Sequence, residues 1–417
     1  MHRRSFLQTL TGTAGLVLSP AARAAALPKA KITRVRIYKP VQFNPTFNQS
    51  NLVVTVETDA GLVGVGEGGT KDLLEQCAGS LIGKNPFLIE RIWHDMYKAW
   101  FYPPGREKIH ALGALDLALW DIKGKALGVP VHELLGGMMR DHLECYGTGP
   151  LQGTGQTTAA DRQRLSLKER ARATVESGFR AFRTAAGSGD PKAGEVFETR
   201  AQVRATAKAC KEIREGVGPD GDWLIDFHQR FDFADAVRCC RLLEEYEPYF
   251  VEDPVADAQA LSEIPKLRQM TSVPLTHGEE WGQRWDFFPL VEKKDLDYIR
   301  ATLPNVGGIT EMTKIAALCQ THAVGIAPHF TGPVSTAAIV HTLGPFSGPV
   351  IVEIGSNTAL PSHIKEGLDF RAGKCWPNDR PGLGVTLEMS QLTQIGEVTK
   401  EGNKLYYFRK DGSLTHW

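Results

Sequence analysis

Between residues 142 and 355 the chain repeats one pattern: a short apolar run, then a helical stretch. The runs end in "LECYGTG", "RAFRTAA", "WLIDFH", "PYFVEDP", "VPLTHGEE", "DYIRAT", "AVGIAPH" and "PVIVEIG". Segments such as "ADAVRCCRLLEEY" and "GITEMTKIAALCQTH" lie between them and read as helices. A crossover helix returns the chain to the same edge of a sheet, so repeated strand–helix units imply parallel strands. Eight such strands are the number that closes into a (β/α)8 barrel. The fold class expected is therefore α/β, a TIM-type barrel over residues 141–375.

The flanks differ. "KITRVRIYKP" and "NLVVTVETDAGLVGVGEGG" read as strands with a turn at Asp59-Ala60-Gly61. "IHALGALDLALWDIKGKALGVPVHELLGG" reads as a helix that stops near Gly128, with Pro130 just beyond. Residues 30–140 are thus expected to form an α+β unit. Residues 376–417, with "GLGVTLE" and "NKLYYFRKDGSLTHW", are expected to leave the barrel and pack back on that unit. The start, "MHRRSFLQTL", carries Arg3-Arg4 before Phe6-Leu7, followed by a short apolar run and "PAARAAA". This is similar to a twin-arginine export signal over residues 1–26 and implies a periplasmic protein; an ordinary secretory signal is the alternative.

Composition excludes several functions. The chain has 48 basic and 48 acidic residues, so no net field draws nucleic acid or an anionic membrane to it. The apolar run of the leader is too short to span a membrane in the mature protein. Seven scattered cysteines without a CxxC pair fit neither a disulfide framework nor a zinc site, and read as small buried residues.

In such a barrel, function sits at the C-terminal ends of the strands. The third strand ends with Asp226 and His228, the fourth with Glu252, the fifth with Glu279, the seventh with His329 and the eighth with Glu353. Strand alternation places Asp226 and His228 on one face. One acidic strand end is ordinary, a polar terminus meeting water. Carboxylates on three successive strands would repel one another without a cation, and oxygen ligands alone suit a hard ion such as Mg2+. Asp226, Glu252 and Glu279 are the candidate metal ligands.

The set "DFH", "VEDP", "GEE", "APH" and "VEIG", with "VETDAGLVGVGE" and "PGLGV" outside the barrel, resembles the enolase superfamily in its mandelate racemase-like branch. "DYIRAT", "GGIT" and the C-terminal "DGS" look most like sugar-acid dehydratases of the mannonate and galactonate type. The resemblance implies that residues 30–140 are a capping domain over the barrel mouth, that "VQFNPTFNQS" (41–50) closes over the substrate, and that the chain forms a symmetric homo-oligomer. It implies a Mg2+-dependent dehydratase acting on a small sugar acid by C2 proton abstraction through an enediolate and loss of the 3-hydroxyl. His228 would be the general acid and His329 the base. Arg183 matches an arginine of mannonate-type relatives, and Glu353 would hold a substrate hydroxyl or back the metal-bound carboxylate. Arg230 would bind an anionic substrate group or pair with Asp232. His277 would be a hydrogen-bonded core histidine or take part in substrate binding. Trp100, Tyr102 and Arg106 would line the pocket.

Three positions depart from the pattern. Thr302 stands where galactonate-type relatives carry an Asp beside the base. Ala185 and Arg183 replace racemase-type lysines. Glu280 replaces a basic residue. Epimerisation or cycloisomerisation at the same metal site is the alternative chemistry; a sugar-acid binding protein with a relic site and a zinc hydrolase are more distant ones.

Overall fold

The computed structural model describes residues 27–42, 51–98, 105–147, 165–186, 194, 196–355, 359–402 and 406–415. The leader, positions 43–50 of the expected substrate loop, Trp100 and Tyr102 lie outside the described residues.

The chain opens with an antiparallel meander, β1 (Ile32–Pro40), β2 (Val53–Thr58) and β3 (Val63–Glu67). The β2–β3 turn falls at the expected Asp59–Gly61, where Gly61 takes φ +76°. Helices α1 (Lys71–Gly79), α2 (Ile89–Lys98) and α3 (Arg106–Leu127) follow. The long α3 ends at Gly128, in the left-handed conformation that a β-carbon disfavours, and its N–H caps the carbonyls of Gly124 and Lys125. Gly64 and Gly66 let α3 come close: a β-carbon there would sit 2.0 Å from the Ala118 carbonyl oxygen and 1.8 Å from that of Ala114. The "VGVG" of β3 is therefore a docking surface for helix backbone.

The barrel strands are β4 (Leu143–Gly147), β5 (Ala181–Ala185), β6 (Asp222–Asp226), β7 (Val251–Glu252), β8 (Leu275–His277), β9 (Tyr298–Ile299), β10 (Gly325–Ile326) and β11 (Val352–Ile354). Each coincides with one of the eight apolar runs. Successive strands pair in parallel from β4 to β10, Ile326 bridges to Val350, and β11 pairs with β4, so the ring closes. Neighbouring residues of one strand face opposite ways. Leu224 joins Tyr146, Ala181, Phe250, Ala327 and Ile351 in a compact cluster, while Trp223 and Ile225 join the large outer core.

The tail returns to the barrel and to the capping sheet in turn. A hairpin of β13 (Asp369–Arg371) and β14 (Lys374–Trp376) adds to β4. The segment β16 (Leu392–Val398), "LTQIGEV", then pairs antiparallel with β1 and completes a four-stranded capping sheet. "GLGVTLE" contributes only the short β15 (Thr386–Leu387), paired with β12 (Ile364–Glu366). Among the described residues no helix is long and apolar enough to cross a membrane.

Candidate active site

The register of β6 and β7 sets Asp226 directly beside Glu252, both buried. Strand alternation does not carry this level further. β6 stops at Asp226, and His228 and Gln229 take φ +49° and +59°. Two consecutive non-glycine residues in that region are a strained turn of the kind retained at working sites. Asp226 itself organises the turn: its Oδ1 accepts the His228 backbone N–H at 2.6 Å, and its Oδ2 lies 2.7 Å from His228 Nε2. His228 meets Asp226 through a left-handed turn and not through strand alternation, because the strand ends at Asp226. Glu279 likewise lies past the end of β8, beyond Gly278 at φ +104°.

The centre of the cluster is a residue the sequence reading passed over. Arg300, at the end of β9, is fully buried, and its Nη2 lies 2.9 Å from Glu252 Oε1 and 3.0 Å from Glu279 Oε2, and also bonds Glu353. Its Nη1 donates to the Tyr146 hydroxyl, which in turn donates to Glu252 Oε2 at 3.1 Å. The signal was present in "DYIRAT": a guanidinium at the end of a buried strand must find carboxylates. Arg183, from β5, donates to Asp226 Oδ2 and lies 3.3 Å from His228 Nε2. Glu353 also accepts the Phe330 N–H at 3.3 Å.

Charge accounting fits a cation. Asp226, Glu252, Glu279 and Glu353 would carry four negative charges; Arg183 and Arg300 supply two positive ones, leaving a deficit of two. Burial, with Asp226 and Glu353 nearby, drives the Glu252 carboxyl well above its ordinary range despite Arg300. Burial and Asp253 push Glu279 to about 8. Asp226 differs: burial would raise it, but the His228 hydrogen bond and Arg183 hold it below the usual value. A hard divalent ion would supply the missing charge, and the donors are oxygens. Among the described residues no three acidic, histidine or cysteine groups are spaced around a metal position; Arg300 Nη2 contacts Glu252, Glu279 and Glu353.

The histidines occupy distinct surroundings. His329, beyond β10, lies 3.7 Å from Glu279 Oε2, and burial lowers its pKa. The Thr302 hydroxyl donates to the His329 carbonyl at 2.8 Å and holds the backbone. His277 is fully buried, with Nδ1 3.1 Å from Asp253 and Nε2 3.5 Å from Asp257. Burial would lower the His277 pKa, but the two carboxylates outweigh it and raise it to about 9. His277 is thus a core residue set between the carboxylates of two loops, in line with a hydrogen-bonded core histidine rather than a pocket-lining one. Arg230 donates to the Ala186 carbonyl at 3.3 Å. Arg106, from the capping helix α3, reaches Asp257 at 2.7 Å and Glu280 at 3.1 Å across the barrel mouth.

A closed parallel barrel with acidic strand ends under an α+β cap defines an architecture, and comparison with known proteins identifies it. Residues 29–136 match the mandelate racemase / muconate lactonizing enzyme N-terminal domain, and residues 166–391 match the enolase C-terminal domain-like family. The chain belongs to the enolase superfamily, in its mandelate racemase-like branch, and is an enzyme, a hydro-lyase. It is 33% identical over 388 residues to a D-galactonate dehydratase of Xanthomonas oryzae pv. oryzae, covering 88% of this chain and 96% of that one. It is 31% identical over 403 residues to that of Pectobacterium atrosepticum, covering 93% and 100%. Among solved structures it resembles an enolase from Pantoea ananatis with bound D-gluconate and Mg (TM-score 0.74, 26% identity, 87% of this chain and 94% of that one). It also resembles an enolase-superfamily member from Salmonella Typhimurium (TM-score 0.77, 27% identity, 88% and 100%).

Proposed function

We propose that this enzyme is a Mg2+-dependent sugar-acid dehydratase that converts its substrate to a 2-keto-3-deoxy acid. The observation that carries the reading is the placement of two histidines. His228 follows β6 and His329 follows β10, and these strands stand four apart in the ring of eight, on opposite walls of the mouth. The carboxylate cluster lies between them. The galactonate dehydratase relatives and the neighbour with bound gluconate support a sugar-acid substrate.

Asp226, Glu252 and Glu279 would hold the metal, which supplies positive charge for the substrate carboxylate as the C2 proton leaves. Arg300, fixed among the glutamates, adds a second preplaced charge at the same place. Burial lowers the His329 pKa, which favours the neutral form a base requires, and His329 takes the C2 proton on its wall. His228 delivers a proton to the departing 3-hydroxyl from the other wall, oriented by Asp226. Proton and hydroxyl therefore leave on opposite faces.

The test is a semicarbazide screen for keto acids across a sugar-acid library with Mg2+, on wild type, His228→Asn and Glu252→Gln. A signal in wild type that both variants lose supports dehydration and names the substrate. No keto acid from any library member, with deuterium entering C2 in heavy water, would replace dehydration by epimerisation.

A further inference from the structure

Cys145 and Cys375 stand 230 positions apart in the chain, yet their Sγ atoms lie 3.4 Å from each other. Both side chains are fully buried, and all seven cysteines are free thiols. Strand pairing makes the contact. β14 runs antiparallel to β4 with Cys375 opposite Leu143, so Cys145, two residues along, is its diagonal neighbour on the same face. We infer that Cys145 and Cys375 form a dithiol–disulfide site, which closes when the chain meets a disulfide-bearing oxidant.

The chemistry balances as two exchanges. One protein thiolate attacks the oxidant RS–SR, forming a mixed disulfide and releasing one RS–. The second thiolate then displaces the other RS–. The two protons lost by the cysteines go to the two leaving thiolates, so two protein thiols and one RS–SR become one protein disulfide and two RSH. The sulfurs need only close from 3.4 Å to about 2.0 Å, within the reach of small side-chain and strand adjustments.

The fold also offers a route to these buried sulfurs. β14 pairs with β4 at two positions, Lys374 with Glu144 and Cys375 with Leu143, and the hairpin is further held by the His142–Trp376 and Phe179–Phe370 ring contacts. The other neighbour of β14, β13, is the outer strand of a hairpin that turns at Ala372 and Gly373, both at positive φ. Exchange requires this hairpin to separate from β4, which keeps β5 and β11 as its partners in the ring. Exchange should accordingly be slow in native buffer and faster in low denaturant. Once formed, the disulfide would tie the first barrel strand to the segment from which the tail departs, and it would close a long loop, the case in which a cross-link restricts the unfolded chain most.

The full-length protein, incubated with oxidised glutathione with and without low urea, is denatured, alkylated and mapped without reduction. The expected result is five alkylated cysteines, seven less two, and one cross-linked peptide pair holding Cys145 and Cys375. The oxidised form should also melt at a higher temperature than the reduced form. Cys375→Ser should keep all of its remaining thiols under the same treatment. Seven free thiols after prolonged exposure in low urea, or a disulfide preferring any other cysteines, overturns the inference. The wild-type map decides the question even if the variant fails to fold.

Discussion

Nη2 of Arg300 lies 2.9 Å from Oε1 of Glu252, and neither side chain reaches solvent. The same nitrogen serves Glu279 and Glu353, so one guanidinium compensates carboxylates from three strand ends. Removing it leaves those charges facing one another in a dry interior. Arg300→Met is expected to lose about 3–5 kcal/mol of unfolding free energy in urea titrations. Because a cation bound by the same carboxylates would replace part of the lost charge, added Mg2+ should raise the variant's midpoint more than that of wild type. An equal Mg2+ response in both would mean that Arg300 and the metal do not share these ligands.

The two histidines can be separated kinetically. His329→Asn should lose both C2 hydrogen exchange in heavy water and dehydration. His228→Asn should retain exchange while dehydration falls by about 10²–10⁴-fold, the usual worth of a general acid. Loss of exchange in His228→Asn at the same level as in His329→Asn would show that the roles are not divided between the walls.

Acid should loosen the junction of cap, barrel and tail at a second histidine pair. Nδ1 of buried His341 lies 2.9 Å from Nδ1 of His132, and its Nε2 faces the Leu383 carbonyl at 3.2 Å. Burial, then the neighbouring His132, lower the His341 pKa to about 4. An unfolded imidazole protonates near about 6.5. Between those values the unfolded chain binds the proton and the native chain does not, so this contribution is present above about pH 6.5 and is lost as pH falls. The full difference is on the order of 3 kcal/mol. His341→Gln should show a shallower fall in unfolding free energy from about pH 7 to about pH 4.5. Parallel curves for the two proteins would remove His341 from the acid response.

Arg106 joins the capping helix to Asp257 and Glu280 on barrel loops, and is half-exposed. Exposed pairs contribute little to stability, about 0–1 kcal/mol, so Arg106→Ala should melt close to wild type. Its expected effect is a KM raised several-fold with kcat nearly unchanged, as the cap settles less firmly over the mouth. A large drop in melting temperature, or a fall confined to kcat, would contradict this.

What was legible in the sequence was the part governed by local chemistry. Apolar runs separated by amphipathic segments marked all eight strands, because each must bury its side chains on both faces of a closed parallel sheet. Gly128 and Pro130 marked the end of α3, because helix termination is a property of the residues at the terminus. Strand-end carboxylates marked the candidate site, because a carboxylate at the end of a buried strand needs a partner for its charge.

What the tertiary structure alone decided was how those ends meet. Alternation cannot show that β6 stops at Asp226 and that a left-handed turn swings His228 back onto it, since the turn is held by pairing with the next strand: the Phe227 and Gln229 N–H groups donate to the Glu252 and Asp253 carbonyls. Nor can it show that Arg300 reaches across to three glutamates, because a long side chain joins strands that are far apart in the chain. The last capping strand was hidden for a different reason. None of the residues of "LTQIGEV" is fully buried; it pairs with β1 through backbone hydrogen bonds, and its apolar residues Leu392, Ile395 and Val398, only partly buried, recur every third position rather than every second. Side-chain periodicity therefore determined where elements begin and what they bury, while backbone pairing and long polar reach, which depend on residues distant in sequence, determined which groups share the site.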